Sequence, residues 1–565
     1  MFDLLITDAR VIDGTGAPSY TADVGVTDGR IAAIGRLREP ARRTIPAGGR
    51  VLAPGFIDVH THYDAQLFWD PTLSPSTLHG VTSMVVGNCG FSIAPLARET
   101  MPYLRRMLAR VEGMPVESLE QGLPWDWASF GDYLARLEGG IGPNVAFLCG
   151  HSALRLAAMG ERALGNEPTP EELERMKALL AASIREGAIG FSSTLAPSHN
   201  DMEGRPVPSR YAAREELVEL ARVCGDTPGT MLGFIPGLDP WTDFERGLMT
   251  EMSLAAGRPL NWNPVLLRPD NGEFIEHQLG ASDHARRAGA EVFGLAMVMP
   301  PTTRINFRGG FLLDVFEGWG ELFEMGYPDR IAALADPARR PALQRGAEIN
   351  EGTNGFLSNW GAHIVTDSRN KALEGRSVAD IARERGRAPF DTFLDIAVED
   401  ELATIYLAPQ ITEEDDSIWQ KRADLCRDPR IIVGASDAGA HVDTIDAFTY
   451  PTLLLAALRE RPLFSIEQAI HLLTERPAMM MGLRQRGLIR EGWCADLVLF
   501  DPDTVAPAPT QARYDLPGGQ MRLFAEAVGM DHVIVNGASL IEGGEHSGAL
   551  PGTVLKPGRD TERAD

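Results

Sequence analysis

The sequence has few lysines, few cysteines and no long hydrophobic run. Only four lysines occur among its 53 basic residues. Its five cysteines are odd in number and far apart, which does not indicate a disulfide framework. No stretch reaches the roughly 20 apolar residues of a membrane helix, and the amino terminus lacks a basic, apolar leader. We therefore predict a cytoplasmic protein that does not enter a membrane.

The charge balance is strongly acidic. The 565 residues include 78 Asp and Glu against 53 Lys and Arg, a net charge of -25. A surface of this sign repels nucleic-acid phosphates and anionic lipid headgroups. The length allows one large α/β domain and a smaller unit. We expect a small-molecule substrate as the partner, with no nucleic acid and no membrane; a homo-oligomer stays open.

Strand signals occur at both ends of the chain. Residues 1–52 contain short β-type segments around Asp28-Gly29, and residues 486–565 contain similar segments around Asn536-Gly537. Such pairs are typical of hairpin turns. We predict that both termini build one small β-sandwich domain, with a loose polar tail after Pro551.

The middle of the chain, residues 53–485, alternates strand and helix patterns. Thr169 and Glu172 form a capping box ahead of a helical pattern over Pro170–Glu186. The eight candidate strands are Phe56–Val59, Thr82–Val86, Val145–Cys149, Ile189–Ser192, Thr230–Ile235, Leu260–Trp262, Val292–Met297 and Ile431–Gly434. Eight such units predict an α/β fold, a closed (β/α)8 TIM barrel. We predict that the segment at about 300–429 is an insertion after the seventh strand, which covers the barrel mouth or, alternatively, forms an oligomer contact.

Two histidines stand where the first strand ends. In Pro54-Gly55-Phe56-Ile57-Asp58-Val59-His60-Thr61-His62, the two imidazoles are two residues apart, on the same side of an extended strand. Such a pair provides half of a zinc site, but it fits two solvated or capping histidines equally well. Ligands elsewhere in the chain must decide between these alternatives.

Two more potential ligands follow neighbouring strands of the predicted barrel. Cys89 ends the second strand, and Asp437 ends the eighth, which closes beside the first. Taken singly, Cys89 fits a small buried hydrophobe and Asp437 fits a helix cap. Together with His60 and His62, a thiolate and a carboxylate predict a Zn²⁺ site. Each imidazole should then donate its second ring N–H to a fixed acceptor.

Three segments resemble the amidohydrolase superfamily, and within it the D-aminoacylase (N-acyl-D-amino-acid deacylase) branch. They are Ala-Pro-Gly-Phe-Ile-Asp-Val-His-Thr-His-Tyr-Asp from Ala53, Gly87-Asn88-Cys89-Gly90, and Gly-Glu-His-Ser-Gly-Ala-Leu-Pro-Gly from Gly544. The resemblance implies a (β/α)8 barrel with a small β-sandwich, and metal-dependent hydrolysis of a non-peptide amide bond. It gives His60, His62 and Cys89 metal-ligand positions, and it makes Asp437 both ligand and catalytic base.

The chain departs from that family at the fifth and sixth strands. The family carries a His-x-Arg segment on the fifth strand and another metal-binding histidine on the sixth. Here Met231–Pro236 and Leu260–Pro264 contain no histidine, and no lysine at a strand end can take their place as a carbamate. Four ligands remain, which favours one Zn²⁺ per chain over two.

The residues expected around the substrate are mostly apolar or acidic. The family's carboxylate-binding arginines are missing, and Asp443 and Asp446 in the loop after Asp437 should repel an anion. The candidate contacts are His151, Phe234, Trp262, His363 and His441. Core packing is the alternative for Phe234 and Trp262, and a supporting role is the alternative for His151.

These observations predict a zinc-dependent amidohydrolase that cleaves a linear amide of an apolar or N-acyl compound with metal-activated water. Three alternatives stay open. They are an N-acyl-D-amino-acid deacylase in the strict sense, a metal-dependent lyase or isomerase on the same barrel, and a catalytically silent scaffold.

Overall fold

A ring of eight parallel strands forms the centre of the computed structural model, which describes residues 1–237, 241–268, 271–297, 299, 302–310, 312–314, 316–349, 355–409 and 415–562. Each strand pairs with its neighbours in chain order. The Val59 N–H donates to the Gly434 carbonyl at 3.0 Å, which closes the ring between the first and last strands. The strands are β1 (Phe56–Asp58), β2 (Val81–Val86), β3 (Asn144–Gly150), β4 (Gly190–Thr194), β5 (Met231–Ile235), β6 (Leu260–Val265), β7 (Val292–Ala296) and β8 (Ile431–Val433).

Alternate strand residues pack into two separate cores. Ile57, Val85 and Leu148 belong to the apolar cluster inside the ring. Phe56 and Phe147 belong to a second cluster, between the strands and the surrounding helices. The separation follows from the two-residue period of a strand, which points successive side chains to opposite faces. It also determines which residues can reach the barrel mouth.

Helices surround the ring. The predicted capping box is present: the Thr169 hydroxyl accepts from the Glu172 N–H at 3.3 Å, and the Glu172 carboxylate accepts from the Thr169 N–H at 2.8 Å. Among the described helices, none combines the length and the apolar character needed to cross a bilayer. Their bounds are Met101–Val111, Val116–Gly122, Phe130–Ala135, His151–Met159, Pro170–Glu186, Arg214–Gly225, Asp243–Ala256, Gly272–Arg287, Asp416–Arg427, Tyr450–Glu460, Ile466–Leu473 and Glu475–Met481.

Both termini contribute strands to one nine-stranded sheet. Val51–Pro54 pairs antiparallel with Leu497–Phe500, which joins the two ends of the chain. A (β/α)8 barrel with a small β-domain from both termini is therefore the observed fold, as the sequence predicted. The other strands of this sheet are Phe2–Val11, Tyr20–Thr27, Arg30–Gly35, Ala41–Pro46, Met530–Val535, Ala538–Glu542 and Glu545–His546.

The carboxyl-terminal segment is not the loose tail that the sequence predicts. Val554–Leu555 adds a parallel strand beside Val145 and Ala146 of β3. The Thr561 hydroxyl donates to the Gly229 carbonyl at 2.6 Å and is buried. The segment is held in place because Leu555 packs into the apolar cluster inside the ring. The mostly polar composition of the segment gave no indication of this contact.

The insertion after β7 has a core of its own. Arg304–Asn306, Ile405–Leu407 and Ile364–Asp367 form a three-stranded antiparallel sheet. Rings of Phe307, Trp319, Trp360, Phe393 and Tyr406 pack within a separate apolar cluster. The helices of the insertion are Gly320–Glu324, Tyr327–Ala335, Arg340–Glu348, Val378–Arg385 and Pro389–Glu399.

The insertion contacts the loop that follows β8. The Arg304 N–H donates to the Thr444 carbonyl at 2.7 Å, and the Arg304 guanidinium pairs with Asp446 at 2.7 Å. The Asn306 amide donates to Asp443 at 2.8 Å. Because this loop leaves the carboxyl end of β8, these contacts place the first strand of the insertion at that end of the barrel.

Candidate metal centre at the barrel mouth

Three side chains from two neighbouring strand ends converge on one point. Ligand atoms of His60, His62 and Cys89 all lie within 4.8 Å of one another. The Cys89 Sγ lies 3.3 Å from His60 Nε2 and 3.6 Å from His62 Nε2. All three residues are buried. The strand end after β1 and the turn after β2 thus bring two imidazoles and a thiol together.

Asp437 joins this group from the loop after β8. Its Oδ1 lies 3.4 Å from His60 Nε2 and 3.1 Å from His62 Nε2. The backbone fixes this arrangement, because the Asp437 N–H donates to the His60 carbonyl at 3.0 Å. Gly439 follows with φ +90°, and a Cβ there would lie 2.6 Å from the carbonyl carbon of His62. Only glycine therefore lets the loop pass this close to β1.

The donor spacing fits a metal ion. Tetrahedral zinc, at about 2.0–2.1 Å from nitrogen and about 2.3 Å from sulfur, separates those donors by about 3.5 Å. The observed separations between Cys89 Sγ and the two imidazole nitrogens are 3.3 and 3.6 Å. The thiol and Asp437 both offer anionic ligands, which Zn²⁺ accepts readily.

Three residues at this site have a backbone conformation that is rare for residues other than glycine. Cys89, Asp437 and His441 all have positive φ, at 57°, 59° and 47°. Non-glycine residues adopt this left-handed region rarely, and they keep it where the surroundings impose it. The side chains are therefore held in position by the turns that carry them.

The electrostatics of the pocket favour a cation. Burial, followed by the charges of Glu112 and Asp437, raises the pKa of the Cys89 thiol well above its ordinary value. Burial opposes ionisation of Asp437 too, but contacts with His60 and His62 outweigh it and lower the pKa of that carboxyl. Burial lowers the pKa of His62, so its imidazole stays neutral and keeps a lone pair for a metal.

Of the predicted substrate contacts, His441 is at the site. Its Nε2 lies 3.8 Å from the Oδ2 of Asp437. His151 lies elsewhere: its ring contacts the Ser193 hydroxyl at 2.8 Å and the Glu216 carboxylate at 2.9 Å. Arg155 completes this buried group with a 2.5 Å contact to Glu216. The structure thus places His151 in an ion-pair network behind the barrel wall, the supporting role that the sequence left as its alternative.

His363 does not reach the barrel mouth. It is fully buried in the insertion, with its ring centroid 5.0 Å from that of Phe393 and 6.0 Å from that of Trp360. Its Nδ1 contacts the Asn359 carbonyl at 3.2 Å. The prediction of a substrate contact is corrected, because aromatic packing within the insertion holds the imidazole away from the mouth.

Phe234 and Trp262 face away from the barrel interior, in the core packing that the sequence left as their alternative to a substrate contact. Both belong to the cluster between strands and helices, and the Trp262 ring lies 4.5 Å from that of Trp241. On the same strands, Gly233 and Asn263 take the inward positions that the two-residue period leaves. The Asn263 amide nitrogen lies 3.4 Å from His60 Nε2. An amide, not an indole, therefore borders the candidate site.

The expected repulsion by Asp443 and Asp446 is also corrected in part. Asp446 is paired with Arg304 and accepts from the Thr510 hydroxyl at 2.7 Å. Asp443 accepts from the Asn306 amide at 2.8 Å. The insertion supplies Arg304 and Asn306 as partners, so each of the two carboxylates is engaged in a contact within the protein.

Sequence reasoning missed two further residues at the site. The Glu112 carboxylate lies 3.3 Å from His62 Nδ1 and is buried. His199 follows β4, with its ring 5.1 Å from that of Phe91. Burial and the neighbouring imidazole of His441 lower the pKa of His199 to about 3. The strand-end rule could have found His199, but no motif marks Glu112.

Comparison with known proteins agrees with this geometry. A model described as "Amidohydrolase family" matches residues 43–541. N-acyl-D-glutamate deacylase of Alcaligenes xylosoxydans xylosoxydans is 31% identical, with 98% of this chain and 96% of that protein covered. This chain belongs to the amidohydrolase family. Metal-dependent hydrolysis of an amide bond is therefore its activity.

Solved structures of this amidohydrolase branch share the fold. A D-aminoacylase, described as having a binuclear metal centre activated by one metal and attenuated by a second, aligns with a TM-score of 0.65 at 26% identity; the alignment covers 98% of this chain and all of that one. N-acyl-D-glutamate deacylase of Bordetella bronchiseptica, complexed with zinc and a phosphonate inhibitor, aligns at 0.62 and 28% identity, over 98% and 99% of the chains. The amidohydrolase barrel described above is thus that of the D-aminoacylase-like branch.

Proposed function

We propose that this amidohydrolase cleaves a linear N-acyl amide with a single zinc ion, and that Asp437 is the catalytic base. The observation that carries the proposal is the position of Asp437, whose Oδ1 contacts both imidazoles of the ligand group at 3.1 and 3.4 Å. Zn²⁺ held by His60, His62 and Cys89 would polarise the scissile carbonyl and lower the pKa of a bound water.

Asp437 moves the proton during hydrolysis. Its low pKa keeps the carboxylate ionised, so it can accept a proton from the attacking water. It then passes this proton to the leaving nitrogen, so that amide and water give a carboxylic acid and an amine. His441, 3.8 Å from the other carboxylate oxygen, lies beside the same proton path.

The inward residues of β5 and β6 support a single ion. At these positions the chain offers Gly233, which has no side chain, and Asn263, whose neutral amide is a weaker ligand than an imidazole. His60, His62 and Cys89 would leave the fourth position of one tetrahedral ion to the attacking water, with Asp437 beside it. A second, weaker ion is the alternative.

We also propose that the insertion caps the mouth and that the substrate carries no carboxylate beside the scissile bond. Two guanidinium groups at the contact between the insertion and the barrel are already paired. Arg304 of the insertion pairs with Asp446, and Arg110 of the helix Met101–Val111 pairs with Asp314 of the insertion. A substrate carboxylate would have to displace one of these partners.

Substrate comparison tests this selectivity. We expect a higher kcat/KM for a neutral N-acyl amide than for the matching N-acyl-D-amino acid. The sequence similarity to N-acyl-D-glutamate deacylase favours the second candidate, a deacylase of free N-acyl-D-amino acids. A clear preference for the free acid would support that candidate and would point to Arg110 or Arg304 as its anchor.

Isotope labelling separates hydrolysis from other reactions on this barrel. In ¹⁸O-water, hydrolysis places solvent oxygen in the product carboxylate. A product without this label would favour the lyase or isomerase alternative.

A further inference from the structure

A short turn between β2 and β3 touches the metal ligands from outside the strands. The helix Met101–Val111 buries Leu104, Met107 and Leu108 and ends at Glu112, whose N–H donates to the Leu108 carbonyl at 2.9 Å. Gly113 follows with φ +59°. We call Glu112 and Gly113 the helix-end turn. The buried helix fixes its position.

The side chain of Glu112 reaches the far nitrogen of His62. Its Oε1 lies 3.3 Å from His62 Nδ1, while His62 Nε2 points to Cys89 and Asp437. An imidazole that binds a metal through Nε2 must carry its proton on Nδ1, and a carboxylate opposite Nδ1 stabilises this tautomer and ring orientation. His60 differs: its Nδ1 is buried without a hydrogen-bond partner among the described residues, so the prediction of a fixed acceptor for each imidazole is wrong for this ring.

The backbone of the same turn holds His441. The His441 N–H donates to the Glu112 carbonyl at 2.5 Å. Gly113 packs so closely that a Cβ there would lie 3.1 Å from the Cα of His441. His62 and His441 contact opposite oxygens of Asp437, at 3.1 and 3.8 Å. One turn therefore positions both imidazoles that flank the proposed base.

We propose that Glu112 is a positioning residue of the metal centre, whose carboxyl oxygen opposite Nδ1 holds His62 in the metal-binding tautomer. This inference rests on the proposed metal site but not on the substrate. Loss of an outer carboxylate of this kind typically lowers metal affinity by about 10- to 100-fold. The effect should appear in metal binding itself, before any turnover.

Zinc affinity, measured by competition with a chromophoric chelator, tests the proposal. We expect the Kd for zinc to rise about 10-fold in Glu112→Gln, whose amide oxygen can still accept from His62 Nδ1 but whose side chain cannot ionise. In Glu112→Met, which removes the acceptor, the rise should approach 100-fold. Glu117→Gln is the matched control, since this glutamate is exposed on the next helix, and its Kd should stay within about twofold. Far-UV circular dichroism and the unfolding temperature show that each variant is folded.

The cobalt-substituted protein provides a second readout. Because His62 should lose its fixed orientation, the d–d absorption bands of Glu112→Gln should differ from those of wild type and of Glu117→Gln. Folded Glu112→Gln and Glu112→Met proteins with wild-type zinc affinity and wild-type bands would overturn the role of Glu112 alone. Failure of the wild-type protein to bind zinc would overturn the proposed metal site, and this inference with it.

Discussion

The barrel mouth and the core of the insertion both contain buried histidines, in opposite surroundings. At the mouth, His62 contacts a thiol and two carboxylates within 3.6 Å. In the insertion, His363 is surrounded by aromatic rings and contacts one backbone carbonyl. Both imidazoles are kept neutral by burial, which lowers the pKa of His363 to about 4. Only the mouth adds the anionic neighbours that a cation needs.

This comparison shows that histidine is a site residue only in combination. An isolated buried imidazole stabilises a core through packing, whereas an imidazole among anionic ligands gains from a bound ion. Variants at the mouth should therefore change activity and metal binding, and variants in the insertion should change stability.

Removing the proposed base should have the largest effect. Asp437→Asn keeps the shape of the side chain but cannot accept the proton, so kcat should fall by about 10² or more. Steady-state kinetics on any substrate of the wild-type enzyme measure this loss. Asp443→Asn makes the same change in the same loop and should retain most activity. A near-native kcat in Asp437→Asn would remove it from the base role.

His363, the buried histidine of the insertion, should make the free energy of unfolding depend on pH. Its folded-state pKa of about 4 lies below the ordinary value of about 6.5, so below pH 6.5 the unfolded chain binds a proton that the folded chain refuses. The free energy of unfolding should thus fall as the pH drops from about 6.5 to about 4, by up to about 1.4 kcal/mol per pH unit from this group.

Thermal unfolding of His363→Gln at pH 7 and pH 5 measures this contribution. The variant should lose less stability between the two pH values than wild type, and it should keep its zinc. His284→Gln, at an exposed position, is the control and should follow wild type. Equal pH dependence in His363→Gln and wild type would contradict a neutral, buried His363.

Substitutions of Asn263 and Trp262, two neighbouring residues of β6, should have smaller effects, and these should differ between activity and stability. Asn263→Ala removes the amide near His60 and should lower kcat/KM about tenfold, or about 1.4 kcal/mol, the size of one hydrogen bond. Trp262→Phe changes the outer core instead, so it should lower the unfolding temperature and leave kcat/KM nearly unchanged. The opposite result would reverse the assignment of inward and outward faces.

Much of the barrel could be predicted from the sequence, because local patterns determine it. Each of the eight strands lies within two residues of its predicted bounds at either end or, as with β6, extends three residues beyond them. The grouping of His60, His62, Cys89 and Asp437 followed from strand ends in a closed ring. The surroundings of Asp446 could not be predicted, because its partner Arg304 is 142 residues away.

The faces of β5 and β6 were predictable from the strand period, although the sequence prediction left both substrate contact and core packing open for their aromatic residues. The two-residue period places Asn263 and Gly233 on the face opposite to Trp262 and Phe234, so only one pair can point to the interior. Glu112 is different, because it reaches His62 from the end of a helix in a long connection. Its contact depends on tertiary packing that no local pattern records.

Elemental analysis of the purified wild-type protein tests the central claim most directly. Because β5 and β6 contribute Gly233 and Asn263 to the interior, we predict about one zinc per chain. Cys89→Ser should fall well below that value, while His363→Gln should match wild type. Two firmly held metal ions per wild-type chain would contradict the single-ion site.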